Sequence, residues 1–186
     1  MSQSFLPAKF APLYEINPAF AKSAAYFSME YAIDQSFKIY SGGLGFLAGS
    51  HMRSAAALRQ NFCGIGIFWT CGYYNQTRGD GREMAVQFRR KHPAFLRETG
   101  IQFTLRIFDH DVLVRALYLS GDVFGTVPMF FLSTDMEEND AFGRTITQRL
   151  YDHDPNIRIA QYMVLGRGGV RLLEEMGVDP DVYHLN

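Results

Sequence analysis

A chain of 186 residues is long enough for one domain with its own core, and an apolar fraction of 47%, with 15% aromatic residues, excludes a disordered polar chain. The 18 basic residues nearly balance 19 acidic ones, which excludes the broad positive surface that nucleic acid selects. No run of about 18 uncharged apolar residues occurs, and the segment Met1 to Phe10 has no basic stretch leading into an apolar one, so neither a membrane span nor a secretion signal is expected. Cys63 and Cys71 are too few and too oddly spaced for a zinc cage or a disulfide scaffold, and Cys63 sits in an apolar run where a free thiol packs as a small hydrophobe. A reduced, cytoplasmic setting is expected.

Residues 1–22 carry Pro7, Pro12 and Pro18 and read as an irregular arm; residues 23–186 read as a single α/β unit. Ala24 to Met29 suits a buried strand. A loop follows and ends in Gly42-Gly43. From Leu44 the spacing of Leu44, Leu47, Ala48, His51-Met52, Ala55 and Leu58 predicts a helix with one apolar stripe, closed by Asn61. Cys63 to Trp69 is a second strand, so strand, loop, helix and strand form a βαβ unit and argue for a parallel sheet. Phe103 to Ile107 and Val112 to Leu119, split by Asp109-His110-Asp111, read as an antiparallel hairpin inserted beside that sheet. Val127 to Leu132 is another strand. Asp154-Pro155 caps a long helix whose stripe is expected through Ile159, Tyr162-Met163, Gly166, Val170, Leu173 and Met176, stopped by Gly177. Val182 to Leu185 begins a last strand with no return helix, which leans toward an incomplete domain.

Tyr40-Ser41-Gly42-Gly43-Leu44-Gly45 is the stretch with the most chemical character. Glycines let a backbone approach a ligand, and the following helix start offers unpaired N–H groups and a positive dipole end, suited to a phosphate or sugar phosphate. The same pattern also serves tight strand-to-helix packing. A Walker loop is missing, and Gly43 to Gly49 lies too far after its strand, with Phe68-Trp69-Thr70 where a ribose-binding acid belongs, so dinucleotide binding is not expected. His51, His92, His110, His153 and His184 are scattered without i, i+4 pairs, so no metal is expected, and there is no Gly-x-Ser-x-Gly elbow. Glu30, Asp34, Glu83 and Asp135 leave a glycosidase-type carboxylate pair open, but nothing selects one. Arg89-Arg90-Lys91 reads as a solvated face or the rim of an anionic ligand site.

Several blocks together resemble the glycogen and maltodextrin phosphorylases. They are Ala25 to Tyr31, Tyr40 to Gly49, Gly72-Tyr73-Tyr74-Asn75-Gln76, Thr134 to Asp140, Arg144 to Thr147 with Arg149-Leu150-Tyr151, Gln161 to Gly169, and Val182 to Asn186. The resemblance implies a Rossmann-like N-terminal domain of a GT-B-type glycosyltransferase, incomplete, facing a cleft closed by a second, C-terminal domain. It implies phosphorolysis of terminal α-1,4 links of a glucan to glucose 1-phosphate, with pyridoxal phosphate contributing its phosphate group. Its attachment lysine and the residues that would complete a catalytic set are expected outside this chain, so the chain alone is expected to be inactive. By similarity Gly42, Gly43, Leu44 and Gly45 would line the phosphate site, with Glu30 and Asn186 in support; the plain alternative for Glu30 is a surface or capping carboxylate. Two departures stand out: Ser50 where the short phosphorylases have Asp, and Arg82 where an aromatic is common.

The nearest rival is a nucleotide-sugar-dependent glucan synthase, which shares a Gly-Gly-Leu-Gly loop but places Lys two residues before it. Here Lys38 lies four residues before Gly42. A noncatalytic glucan-binding or regulatory module, stacking sugars on Trp69, Tyr73 and Tyr74, is the rival from another class. Apolar surface meant for missing helices would favour self-association.

Overall fold

The computed structural model of the chain describes residues 3–81 and 83–186; Arg82, noted above, lies outside them. The arm makes two short 3-10 turns, Ala8–Phe10 and Pro18–Phe20, and is tied down by burial of Leu6, Phe10 and Ile16. The Phe10 ring sits 5.0 Å from Tyr118 and 5.3 Å from Phe130, so the arm closes part of the core.

The strands are β1 (Ala24–Phe27), β2 (Phe62–Ile67), β3 (Asn75–Arg78), β4 (Met84–Gln87), β5 (Arg97–Ile107), β6 (His110–Leu119), β7 (Met129–Ser133) and β8 (Val182–Leu185). The helices are α1 (Gly43–Ala57), α2 (Gly121–Phe124), α3 (Ala141–Ile146), α4 (Pro155–Met163) and α5 (Gly169–Glu175), with a π-helical turn, Val164–Gly168, joining the last two. Six strands form one sheet in the order β5-β6-β7-β2-β1-β8. Strands β7, β2, β1 and β8 run parallel, while β5 and β6 pair antiparallel and extend the sheet through β7. The expected hairpin is therefore an edge of the sheet itself. Its turn is tighter than expected: Ile107 pairs with His110, and Phe108 takes φ 51°. A second hairpin, β3 with β4, stands apart as a two-stranded ribbon.

The helices cover opposite faces, because neighbouring strand residues point to opposite sides. On one face the Gly64 backbone lies under Met52 of α1; on the other, Gly169 of α5 lies against Phe27 and Ile65. A Cβ on Gly49 would stand 2.1 Å from the Ala32 carbonyl oxygen, and one on Gly169 would stand 2.4 Å from Phe27 Cε1, so both helices approach the fold through bare backbone.

That close approach corrects both predicted stripes. In α1 the buried positions are Gly45, Ala48, Gly49, Met52 and Ala55, whereas Leu44, Leu47 and Leu58 are exposed. Helix α1 ends at Ala57, and Asn61, expected to close it, instead binds the arm: its amide accepts from Phe5 N–H and donates to the Ala21 carbonyl. From α4 to α5 the buried residues are Ile157, Ala160-Gln161, Val164-Leu165, Gly168-Gly169 and Leu172-Leu173, a repeat of four that the π turn sustains. Ile159, Tyr162 and Val170 face outward instead. Both ends match the expected chemistry. Asp154 accepts from Asn156 N–H ahead of Pro155, and Gly177, at φ 68°, closes the last turn. Among the described residues no helix is long and apolar enough to cross a membrane.

Candidate functional site at the glycine loop

The chain leaves β1, turns through Ser28-Met29-Glu30, and returns to the start of α1 at Ser41-Gly42. Glu30 is buried, and its carboxylate is turned onto that loop. The backbone N–H groups of Ser41 and Gly42 donate to Glu30 Oε2 at 2.6 and 3.1 Å. From 121 residues away the Tyr151 hydroxyl donates to Glu30 Oε1 at 2.6 Å. Burial and this donation hold the Tyr151 phenol well above its ordinary acidity range, so its proton stays on oxygen. Tyr151 itself has φ 59°, a left-handed backbone that costs a non-glycine residue about 1–3 kcal/mol, which its contacts must offset. The Arg158 guanidinium lies 4.3 Å from the centre of its ring.

Glu30 thus takes the first two donors of the loop. The next two belong to Gly43 and Leu44, in the opening turn of α1, where no intrahelical partner exists and no side-chain cap is present. A Cβ at Gly42 or Gly43 would meet nothing within 4 Å, so this helix start opens to solvent. Gly45 differs: its N–H donates to the Gly42 carbonyl, and a Cβ there would stand 2.5 Å from Tyr40 Cβ and 2.9 Å from Glu30 Oε2. Of the four loop residues named from the sequence, Gly43 and Leu44 face outward with open donors, Gly42 is the hinge, and Gly45 is a packing residue. The two open donors head a helix of fifteen residues, whose aligned dipoles favour an anion there.

Asn186 reaches the same region through one intermediary. Its side-chain amide donates to Ser28 Oγ at 3.0 Å, and Ser28 Oγ donates to the Glu30 carbonyl at 2.9 Å. Sequence reasoning missed Tyr151 as the partner of Glu30; a tyrosine so distant in the chain carries no local signal. It read Lys91 only as part of the Arg89-Arg90-Lys91 run and Lys38 only by its distance from Gly42, and did not bring the two together; with Tyr40, Ser41, Tyr73 and Tyr74 they line a cleft of about 230 Å³ beside the loop.

Other candidates resolve differently. Trp69 is fully buried and its indole N–H donates to the Met29 carbonyl at 2.7 Å, so it is a core residue and stacks on no sugar. Arg89-Arg90-Lys91 is not one patch: Arg89 reaches Gln87, Arg90 pairs with the buried Asp135, and Lys91 Nζ donates to the Cys71 carbonyl at 3.1 Å. Three of the four carboxylates have separate partners, Glu30 at the loop, Asp34 at Ser36 and Asp135 at Arg90. Among the described residues no three His, Cys, Asp or Glu side chains gather as metal ligands.

No family model matches the chain. It is 46% identical over 165 residues to an uncharacterised protein of Methanocaldococcus jannaschii, which covers 89% of this chain and 32% of that protein. It is 36% identical over 176 residues to the maltodextrin phosphorylase of Thermococcus litoralis, across 91% of this chain and 21% of the relative. It is 31% identical over 173 residues to the glycogen phosphorylase of Aquifex aeolicus, across 90% of this chain and 25% of the relative. The chain therefore spans between 21% and 32% of the length of these relatives. Among solved structures, the catalytic domain of starch synthase IV from Arabidopsis thaliana, bound to ADP and acarbose, superposes with a TM-score of 0.59 at 14% identity, over 88% of this chain and 27% of that one. At that identity the likeness is one of fold, a Rossmann-like sheet of the GT-B glycosyltransferase kind.

Proposed function

We propose that the chain, 31–36% identical to part of the maltodextrin and glycogen phosphorylases, supplies the glycine-loop side of an α-glucan phosphorylase, an enzyme that cleaves terminal α-1,4-glucosidic bonds with inorganic phosphate. The product is glucose 1-phosphate. A second domain, facing this one across a cleft, supplies the rest of the site.

The observation that carries the reading is the pair of open N–H groups at Gly43 and Leu44, over a loop pinned by Glu30. Two preorganised donors at a helix start hold a phosphate oxygen without reorganising when charge shifts onto it. Glu30 is itself an anion, and its role is to fix the loop rather than to meet phosphate. Ser41, Gly42 and Tyr151 saturate it, so its charge is held by donors on the inner side of the loop. Tyr151 keeps its proton and serves as a positioning residue for Glu30.

Pyridoxal phosphate, which the family implies, supplies a phosphate group as acid–base or electrostatic partner when bound. In this chain the open loop donors fit a phosphate, while its attachment lysine belongs to the second domain.

The reverse reaction separates this reading from the synthase reading. The full-length protein carrying this chain, given maltodextrin, should elongate it from glucose 1-phosphate with release of inorganic phosphate and should not use ADP-glucose. Elongation from ADP-glucose alone would overturn the proposal.

A further inference from the structure

Lys38 and Lys91 come from separate segments and converge on the cleft beside the glycine loop. Lys91 is half-buried and pressed against the turn at Gly72, whose φ of 69° is left-handed; a Cβ there would stand 2.5 Å from the Lys38 carbonyl oxygen and 2.7 Å from Lys91 Nζ. Burial first, and the nearby Lys38 charge after it, lower the Lys91 pKa below its ordinary value. Only one of the three ammonium donors of Lys91 is used, by the Cys71 carbonyl, and among the described residues no carboxylate forms an ion pair with either lysine. Two cations brought together without a counter-charge repel each other, and an anion between them reverses the sign of that interaction. Tyr73 and Tyr74, both more than a third exposed with ring centres 4.4 Å apart, form the aromatic wall.

We propose that this cleft binds a sugar phosphate, with the phosphate dianion between Lys38 and Lys91 and the sugar ring against Tyr73 and Tyr74. This site is separate from the donors of Gly43 and Leu44, and it stands whether or not the phosphorylase reading holds.

The test is a titration of the full chain with glucose 6-phosphate, glucose 1-phosphate, inorganic phosphate and glucose, followed by backbone amide shifts. Both sugar phosphates should move amides at Cys71, Gly72 and Lys91. Lys38→Gln, at a side chain that makes no hydrogen bond among the described residues, should weaken them roughly tenfold, the scale of one charge-assisted contact. Lys91→Gln should do the same and Lys91→Arg should retain binding. Tyr74→Leu should weaken the sugar phosphates but not inorganic phosphate. The proposal is overturned if no ligand binds at millimolar concentration, or if binding ignores Lys38→Gln. It is also overturned if Gly43→Pro abolishes binding, which would place the ligand in the glycine loop. Glucose binding as well as its phosphates would overturn the role of the lysines.

Discussion

Glu30 is a negative charge buried beside a site built to attract anions, and its cost is met by four hydrogen-bonding groups on two segments: the N–H of Ser41, the N–H of Gly42, the Ser41 hydroxyl and the Tyr151 hydroxyl. Tyr151→Phe removes one of these and leaves a buried carboxylate oxygen short of a donor. A loss of about 1–3 kcal/mol in urea unfolding is expected. The cost should shrink in the Glu30→Gln background, because the two groups act as a pair. The loop glycines divide in the same way. Gly45→Ala must push Tyr40 and Glu30 aside and should cost about 1–3 kcal/mol, while Gly43→Ala, with nothing within 4 Å, should leave the melting temperature unchanged. At this scale the sequence showed glycines and an acid worth watching but not their division of labour. Which glycine is open and which is packed depends on Tyr40 and Tyr151, and no spacing rule reports those contacts.

At the scale of elements, the helix from Pro155 to Glu175 shows most clearly what pattern reading captures. Its ends were legible, because Asp154, Pro155 and Gly177 act locally through capping and φ. Its buried face was not. The stripe through Ile159, Tyr162 and Val170 follows the bulk of side chains, whereas the helix meets the sheet through Gly168 and Gly169, which have none. The π turn then spaces buried pairs by four residues, a period no ideal helix would suggest. Gly169→Ala should therefore destabilise the fold by about 1–3 kcal/mol in denaturant unfolding. Gly166→Ala, with open space around it, should be neutral or stabilising by up to about 1 kcal/mol. Docking of β8 carries a pH dependence. His51 of α1 and His184 of β8 lie 5.8 Å apart at their ring centres, both against Tyr26. Burial, then the proximity of His184, lowers the His51 pKa below its ordinary value of 6.5. A depressed histidine stabilises the fold when neutral. That contribution is present above about pH 6.5 and fades as pH falls through the folded-state value. Protection factors at Val182–Leu185, corrected for the intrinsic exchange rate at each pH, should fall below that pH, and His51→Phe should remove the change.

At the scale of the whole molecule, the sheet order puts β2 and β1 in the middle of the four parallel strands β7-β2-β1-β8, with α1 and the α4–α5 pair on opposite faces. The loop after β1 and the start of α1 then fall at the carboxyl end of a parallel strand, where open α/β sheets place their ligands. The class of fold and the inserted hairpin were readable from strand length and alternation. The joining of that hairpin into one six-stranded sheet was not, because register between distant strands leaves no local trace. Exposed Leu44, Phe46 and Leu47 on α1 flank the open loop donors, and Val182, Tyr183 and Leu185 lie along the edge strand. The most direct measurement is release of glucose 1-phosphate from maltodextrin against phosphate concentration, by the full-length protein carrying this chain, for wild type, Gly43→Ala and Gly43→Pro. Proline is tolerated at the first helical position but removes the N–H, so the helix start survives while one donor is lost. Release that requires phosphate, persists in Gly43→Ala and falls roughly a hundredfold in Gly43→Pro is the expected result. Release without phosphate, or equal rates in Gly43→Pro and wild type, would contradict it.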